Sequence, residues 1–156
     1  MISIDIPGHR RLELEYLVLD VNGTIATGGV LVPGVAEAVE ALGGVVQVVA
    51  ITADTHGTAP RLREGLGIDV HVIEAGSESQ AKLEFVRSLG AHAVVAVGNG
   101  ANDVLMLSEA ALGIAVVGGE GASVEAVQAA DIVTVGVLDA LALLAQPSRI
   151  AATLRR

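Results

Sequence analysis

The chain lacks several residue types that particular protein chemistries require. It contains no Cys, so disulfides, thiolate metal sites and cysteine nucleophiles are excluded. Its only aromatic residues are Tyr16 and Phe85, too few for a base-stacking platform or an aromatic cage. Positive charge is scarce, since Lys and Arg number 9 against 18 Asp and Glu. So acidic a surface attracts cations but repels phosphate backbones, which excludes nucleic acids and anionic membranes as partners.

Long hydrophobic runs are also missing. The apolar stretches are short and broken by Gly, Asp or Asn, so no transmembrane segment is predicted. The first 15 residues contain no apolar region typical of a signal peptide, and we expect a cytoplasmic protein. The length of 156 residues fits a single domain over 1–156, with a core at about 16–144, an extension at 1–15 and a tail at 145–156.

Short β-branched apolar runs alternate with Ala-, Leu- and Glu-rich stretches. Most runs are apolar on both faces, which is typical of parallel strands covered by helices on both sides. The alternation predicts an α/β fold, a doubly wound parallel sheet with right-handed crossovers. An extra edge hairpin or strand is expected within 3–15, and a short basic helix or frayed end after Pro147. The predicted strands are 16–20, 45–52, 70–74, 93–98, 113–117 and 131–135, and the predicted helices are 35–42, 59–66, 79–89, 103–110, 123–129 and 138–144.

Polar residues lie where three predicted strands end. The first strand ends in Asp20, the second in Thr52, and the fourth in the segment GNGAND (98–103). Ligands of doubly wound sheets bind at the carboxyl ends of the strands, so these residues are expected to converge on one crevice. Lys82, the only lysine, begins a helix that leads toward the fourth strand and would bring positive charge to Asp20. Asn102 would orient Lys82 or a water.

This set of residues is suited to phosphoryl chemistry. An ionised Asp20 carboxylate can attack phosphorus and form an aspartyl phosphate. Because an anion then attacks an anion, a divalent cation held by Asp20 and Asp103 is needed, and Mg²⁺ suits so sparse a set of oxygen ligands. The Thr52 hydroxyl and the N–H groups of the Gly23–Thr24 turn are candidates for binding the phosphoryl oxygens.

The chain resembles the haloacid dehalogenase superfamily in four ordered segments: DVNGT (20–24), TAD (52–54), Lys82 and GNGAND (98–103). The closer resemblance is to the phosphorylation domain of P-type ATPases, whose TGD-x-x-x-TA and GDG-x-ND segments are similar to ITADTHGTA (51–59) and GNGANDVLML (98–107). The likeness covers about 16–144. It implies a three-layer sandwich and an Mg²⁺-dependent phosphoaspartate mechanism, with Asp20 as nucleophile, Thr52 and Ala53 at the phosphate, Lys82 as the stabilising cation and Asp103 at the metal.

The spacing of these motifs leaves no room for a second domain. From Asp20 to Thr52 the chain spans 32 positions, and from Thr52 to Lys82 it spans 30. Neither stretch can hold a nucleotide-binding or cap domain, so an ion pump is excluded and ATP hydrolysis is not expected as the main role. An open site suits a phosphorylated small molecule, an exposed phosphate on a larger substrate, or a homo-oligomer whose neighbour closes the site.

Two positions depart from the family pattern. Asn22 stands where family phosphatases usually carry an Asp that protonates the leaving group and activates water, and an amide cannot do either. Asn99 replaces the first acid of GDG-x-ND, so the predicted metal ligands are Asp20, Asn22, Asn99 and Asp103, with lowered cation affinity. General acid–base catalysis contributes roughly 10²–10⁴-fold. The sequence therefore predicts a slow phosphohydrolase with a long-lived phosphoenzyme.

Several of these residues have structural interpretations as well. Asp20 is also a good turn residue, and Thr52 also suits a strand or a helix cap. Lys82 also suits a solvated helix face, and Asp103 and Asp54 also suit helix N-caps.

Three functions remain open at this point. The first is an Mg²⁺-dependent phosphatase or phosphotransferase acting through Asp20. The second is a binding or regulatory module weakened by Asn22 and Asn99, and the third is a phosphoacceptor that a partner dephosphorylates. His56, in the loop after the second strand, is a further candidate for substrate contact.

Overall fold

The structure is a computed structural model that describes residues 1–54 and 57–156. Its strands in chain order are β1 (Ile2–Asp5), β2 (Arg11–Leu14), β3 (Tyr16–Asp20), β4 (Ala26–Thr27), β5 (Val30–Leu31), β6 (Gln47–Thr52), β7 (Asp69–Val72), β8 (Val94–Gly98), β9 (Leu112–Val116) and β10 (Ile132–Thr134). Six of them form a parallel sheet in the order β10-β9-β8-β3-β6-β7. This confirms the predicted doubly wound sheet.

Helices cover both faces of this sheet. They are α1 (Val35–Gly43), α2 (Ala59–Leu66), α3 (Glu78–Ser88), α4 (Val104–Glu109), α5 (Val124–Ala129), α6 (Val137–Ala145) and α7 (Pro147–Leu154). One core joins α1, α2, α6 and α7 to one face of the sheet, and a second core joins α3, α4 and α5 to the other. Because side chains alternate along a strand, Leu17 and Leu19 lie in the first core and Val18 in the second. Asp20 therefore follows Val18 toward the α3 side.

The N-terminal extension forms a hairpin that is separate from the central sheet. Within the described part of the chain, strands β1 and β2 pair only with each other, so the expected hairpin is confirmed but its place on the edge of the main sheet is wrong. Its buried residues alternate and pack on the core that contains α7. The backbone N–H of Glu15 donates to Ala93 O at 2.8 Å, and Gln47 N–H donates to Glu15 O at 2.8 Å. The hairpin thus closes the amino-terminal ends of the strands, opposite the candidate site.

Most ends of the strands and helices lie one or two residues from their predicted positions. Strand β6 begins at Gln47 rather than Val45, because the N–H groups of Val45 and Val46 both donate to Leu42 O in the turn that ends α1. The tail after Pro147 is helical, with Ile150 buried. Hairpin β4–β5 was not predicted. No single helix within 1–54 and 57–156 meets the length and hydropathy needed to cross a membrane, although the sharply bent α6–α7 pair does so when taken together.

Candidate active site

The central strand of the sheet carries the predicted nucleophile at its carboxyl end. Asp20 is the last residue of β3, which lies between β6 and β8. Asp20 is in register with Ile51, one residue before Thr52, and Leu19 is in register with Val97, one residue before Gly98. The predicted convergence of these three strand ends is therefore present. It lies at the point where the strand order reverses, where ligands of such sheets bind.

A buried lysine joins two carboxylates at this edge. Lys82, in the middle of α3, places its Nζ 2.6 Å from Asp20 Oδ1 and 2.7 Å from Asp103 Oδ1. Lys82 is 1% exposed, Asp20 5% and Asp103 0%, so the solvated alternative for Lys82 is wrong. A lysine is seldom buried without such partners. The sequence positions 20, 82 and 103 thus form one buried charge cluster.

Backbone N–H groups hold the side chain of Asp103, the second carboxylate of the cluster, in place. Asp103 Oδ2 accepts the N–H groups of Asn99 and Gly100, each at 2.9 Å, so its side chain closes the turn that follows β8. It makes no hydrogen bond to the N-terminus of α4, although it occupies the position before that helix. A Cβ on Gly98 would lie 2.5 Å from Asp103 Cγ. Glycine at 98 is therefore needed for Asp103 to reach Lys82.

The cluster contains two acidic groups for one base. Burial, followed by the negative charge of Asp103, raises the pKa of Asp20 to about 6, against the opposing effects of Lys82 and Thr24. Burial by itself would lower the pKa of Lys82, but attraction to the two carboxylates outweighs burial and raises it. Lys82 is therefore a permanent cation at neutral pH. With both carboxylates ionised, the cluster has an excess of one negative charge, which favours a bound cation.

Thr24 and Asn99 form a second set of contacts above Asp20. Thr24 Oγ1 lies 3.0 Å from Asp20 Oδ2, to which it donates, and 3.3 Å from Asn99 Oδ1. Asn99 Nδ2 donates to Gly121 O at 3.1 Å. A Cβ on Gly23, whose φ is +82°, would lie 2.4 Å from Asn99 Nδ2. Asn99 thus connects the turn after β3 to the loop after β9.

The turn after β3 differs from the prediction in one respect. Its N–H groups are used inside the turn, since Gly23 N–H donates to Ala26 O at 2.7 Å and Thr24 N–H donates to Val21 O at 3.2 Å. The expectation that these two N–H groups bind phosphoryl oxygens is therefore wrong. The contact of the Thr24 hydroxyl with Asp20 was not predicted from the sequence. The only signal for it was a hydroxyl residue four positions after a carboxylate in a glycine turn.

The segment after β6 is held by local hydrogen bonds. Thr52 is buried, and its hydroxyl oxygen accepts the N–H of Asp54 at 3.2 Å. Asp54 Oδ1 in turn accepts the Thr58 hydroxyl at 2.9 Å and the Thr58 N–H, just before α2 begins. The N-cap interpretation of Asp54 is wrong, because Thr58 occupies the N-cap position of α2 and Asp54 instead binds Thr58. Ala53 is half-buried beside Thr52, and His56 lies outside the described residues.

Two predicted site residues are exposed. Asn22 lies on the turn after β3, and Asn102 lies on the short turn before α4. The hydrogen bonds that the structure gives Lys82 Nζ go to Asp20 and Asp103 and not to Asn102, and the alternative, that Asn102 orients a water, stays a prediction. Within 1–54 and 57–156, no three His, Cys, Asp or Glu side chains cluster as metal ligands. A cation here would use the two carboxylates with amide or backbone oxygens and water.

Comparisons with known proteins agree with this geometry. The sequence model of the haloacid dehalogenase-like hydrolases matches residues 5–111. An uncharacterised protein of Methanocaldococcus jannaschii is 43% identical over 84 residues, which are 51% of this chain and 90% of that protein. The soluble P-type ATPase-like phosphatase of the same organism is 33% identical over 116 residues. These are 72% of this chain but 42% of that phosphatase, so the chain spans less than half of its length.

A solved structure shares the fold. The 3-deoxy-D-manno-octulosonate 8-phosphate phosphatase of Moraxella catarrhalis, in complex with magnesium ion, phosphate ion and KDO, superposes with a TM-score of 0.70 at 18% identity. The superposition covers 89% of this chain and 92% of that one. The family match runs from β1 through Asp20, Lys82 and Asp103, and it shows that this chain belongs to the haloacid dehalogenase-like hydrolase family.

Proposed function

We propose that the protein is an Mg²⁺-dependent phosphohydrolase that transfers a phosphoryl group first to Asp20 and then to water. The observation that carries this proposal is the buried cluster of Asp20, Lys82 and Asp103 at the carboxyl edge of the sheet. Its geometry leaves one carboxylate held by backbone donors and the other at the end of the central strand, beside a fixed cation. The family and the phosphatase name of one relative point the same way.

The residues fit a magnesium ion. Asp20 and Asp103 offer hard carboxylate oxygens with one negative charge that Lys82 does not balance, and Mg²⁺ in proteins takes one or two carboxylates with several waters. Asp20 and Asp103 would hold the ion. When bound, it would offset negative charge on the phosphoryl oxygens. Asn99 is a weaker candidate than the sequence suggests, because its Oδ1 already lies 3.3 Å from the Thr24 hydroxyl.

The chain's own residues account for the two steps. A carboxylate oxygen of Asp20 attacks phosphorus, the bond from phosphorus to the leaving oxygen breaks, and the leaving oxygen takes a proton from solvent. Lys82 and the Thr24 hydroxyl hold Asp20 in position. The Thr52 hydroxyl, whose oxygen accepts the Asp54 N–H, can donate its own proton to a phosphoryl oxygen. Water then attacks phosphorus, and inorganic phosphate leaves Asp20 as a free carboxylate.

Asn22 makes the second step slow in this proposal. It occupies the exposed turn after Asp20, where a carboxylate would take the proton of the attacking water, and an amide has no such capacity. The aspartyl phosphate therefore accumulates while the first step continues.

The test is intact-mass spectrometry of the protein incubated with acetyl phosphate, with and without Mg²⁺. The expected result is a mass increase of one phosphoryl group that requires Mg²⁺ and is lost in Asp20→Asn. The matched control is Asp5→Asn, which removes an exposed carboxylate from β1 and should keep the adduct. An adduct that survives in Asp20→Asn would contradict the assignment of the nucleophile.

The amide of Asn22 also favours a second function. The protein would act as a phosphoacceptor whose phosphoenzyme is hydrolysed only with a partner's help. This alternative predicts stoichiometric phosphorylation without release of more than one phosphate per chain. Multiple turnovers by the purified protein, measured as inorganic phosphate released from acetyl phosphate, would exclude it.

A further inference from the structure

A cavity of about 350 Å³ opens beside the turn that carries Thr24. Its walls come from the segment 30–33, Gly118–Gly119, Gly136–Val137, and the two threonines Thr24 and Thr27. Thr24 is the link to the candidate active site, since its hydroxyl donates to Asp20 Oδ2 at 3.0 Å. A group bound in this cavity would therefore lie against a residue that contacts the proposed nucleophile.

The cavity walls are built from few kinds of residue. Among the described residues, the walls contain aliphatic side chains, glycines and the two threonines, with no charged and no aromatic residue. A second phosphate or a carboxylate would find no cation there, and a nucleobase would find no ring to stack on. A neutral aliphatic group, by contrast, would remove apolar surface from water on both sides of the contact.

The mouth of the cavity carries one exposed valine, since Val30, a wall residue on β5, is 69% exposed. Val135, which is 81% exposed, directly precedes the wall residue Gly136. Backbone bonds hold the second wall in place, since Val117 N–H donates to Thr134 O at 2.9 Å and Gly136 N–H donates to Val117 O at 3.1 Å. An exposed apolar side chain in the wall of a cavity favours a binding site, whereas an isolated one on an open surface needs no explanation.

We propose that this cavity binds the leaving group of the substrate, and that this group is a short, uncharged aliphatic alcohol. The proposal rests on the function proposed above and names the substrate class of the same site: a phosphate monoester of an aliphatic alcohol. In the reaction the bond from phosphorus to the alcohol oxygen breaks as Asp20 bonds to phosphorus. The alkoxide takes a proton from solvent and leaves as the neutral alcohol.

The test uses a series of n-alkyl phosphates from methyl to hexyl with the magnesium-loaded protein. Each methylene buried from water should raise kcat/KM by up to about fourfold until the cavity is filled. Val30→Asp places a charge at the mouth and should abolish this dependence on chain length. Val124→Asp, on α5 and outside the cavity walls, changes a similarly exposed valine (71%) and should keep it.

Binding of the matching n-alkyl phosphonates, which cannot be hydrolysed, separates this inference from the proposed function. Their Kd, measured calorimetrically in wild type, should fall with chain length even if no phosphate is turned over. Equal Kd values for methyl and hexyl phosphonate would overturn the inference and leave the phosphohydrolase proposal intact. So would a loss of the chain-length effect in Val124→Asp as large as that in Val30→Asp. Chain-length-dependent binding without any Mg²⁺-dependent phosphorylation of Asp20 would instead remove the proposed function.

Discussion

At the scale of single residues, the proposed mechanism makes Asn22 the residue that sets how long a phosphoryl group stays on Asp20. It is exposed on a turn, so replacing its amide by a carboxyl group should not disturb packing. We predict that Asn22→Asp shortens the lifetime of the phosphoenzyme by about 10²-fold or more, because the new carboxylate can take a proton from the attacking water.

The measurement is the decay of the phosphorylated mass after the donor is removed. Asn102→Asp is the control, because it also replaces an amide by a carboxylate at an exposed Asn near the site. Similar decay rates in wild type and Asn22→Asp would show that the amide is not what limits hydrolysis.

Asn99 is the residue whose amide is used structurally. Its Nδ2 donates to Gly121 O at 3.1 Å, and a carboxylate at this position would instead place an oxygen against that carbonyl. We predict that Asn99→Asp lowers the free energy of unfolding of the metal-free protein by about 1–3 kcal/mol. The same variant should bind Mg²⁺ more tightly, because it adds an anionic ligand beside Asp20 and Asp103.

Urea unfolding and calorimetric Mg²⁺ titration measure these two effects separately. Asn102→Asp again serves as the control and should change both quantities less. An Asn99→Asp protein that is as stable as wild type without metal would refute the connecting role of the amide.

At the scale of elements, the apolar runs were enough to predict the central sheet and its helices. Strand β3 is apolar on both faces, and such a pattern indicates a buried parallel strand wherever it occurs. Hairpin β4–β5 escaped prediction because strands of two residues are too short for any periodicity to register. Alternation in β1 and β2 indicates a hairpin, but it carries no information on where that hairpin packs.

The turn that follows β8 requires the glycine at position 98. A Cβ on Gly98 would lie 2.5 Å from Asp103 Cγ, so Gly98→Ala must move Asp103 or the strand end. We predict that Gly98→Ala weakens Mg²⁺ binding and slows phosphorylation, and that it destabilises the fold by about 1–3 kcal/mol through overpacking.

Gly43→Ala is the matched substitution, because a Cβ at Gly43, the last residue of α1, would meet no atom of the described residues outside its own helix within 4 Å. Mg²⁺ titrations and urea unfolding of both variants give the comparison. If Gly43→Ala and Gly98→Ala behaved alike, the close approach at Gly98 would have no functional consequence.

At the scale of the whole molecule, the site makes stability depend on pH. The folded protein has the pKa of Asp20 raised to about 6, by burial and then by Asp103, against about 3.9 for an unfolded chain. Between about pH 4 and about pH 6 the folded state therefore holds more protons at Asp20, and this residue's contribution to stability falls as pH rises. The stability of wild type relative to Asp20→Asn should decline over that interval and then level off.

Thermal melts of the two metal-free proteins from acid to neutral pH measure this difference. Added Mg²⁺ should restore stability to wild type above that interval, since it binds the ionised carboxylates. A relative stability of wild type that increased with pH over the same interval would contradict the buried, negatively charged cluster.

The sequence predicted which side chains meet, but not how their hydrogen bonds are shared. Asp20, Lys82 and Asp103 were predicted because their residue types follow a family pattern along the chain. The contact of Asn99 with Gly121 depends on how the loop after β9 folds over the turn after β3, and no local pattern encodes that. The Gly23–Thr24 turn was misassigned for the same reason, since the acceptors of its N–H groups become visible only in three dimensions.

The identity of the phosphorylated residue is the most direct test of the proposed chemistry. Borohydride reduces an aspartyl phosphate to homoserine, and peptide mass spectrometry then locates the converted residue. After incubation with Mg²⁺ and acetyl phosphate, we predict homoserine at position 20 and unchanged aspartate at position 103. Homoserine at any other position, or release of phosphate from acetyl phosphate without conversion at position 20, would show that Asp20 is not the nucleophile.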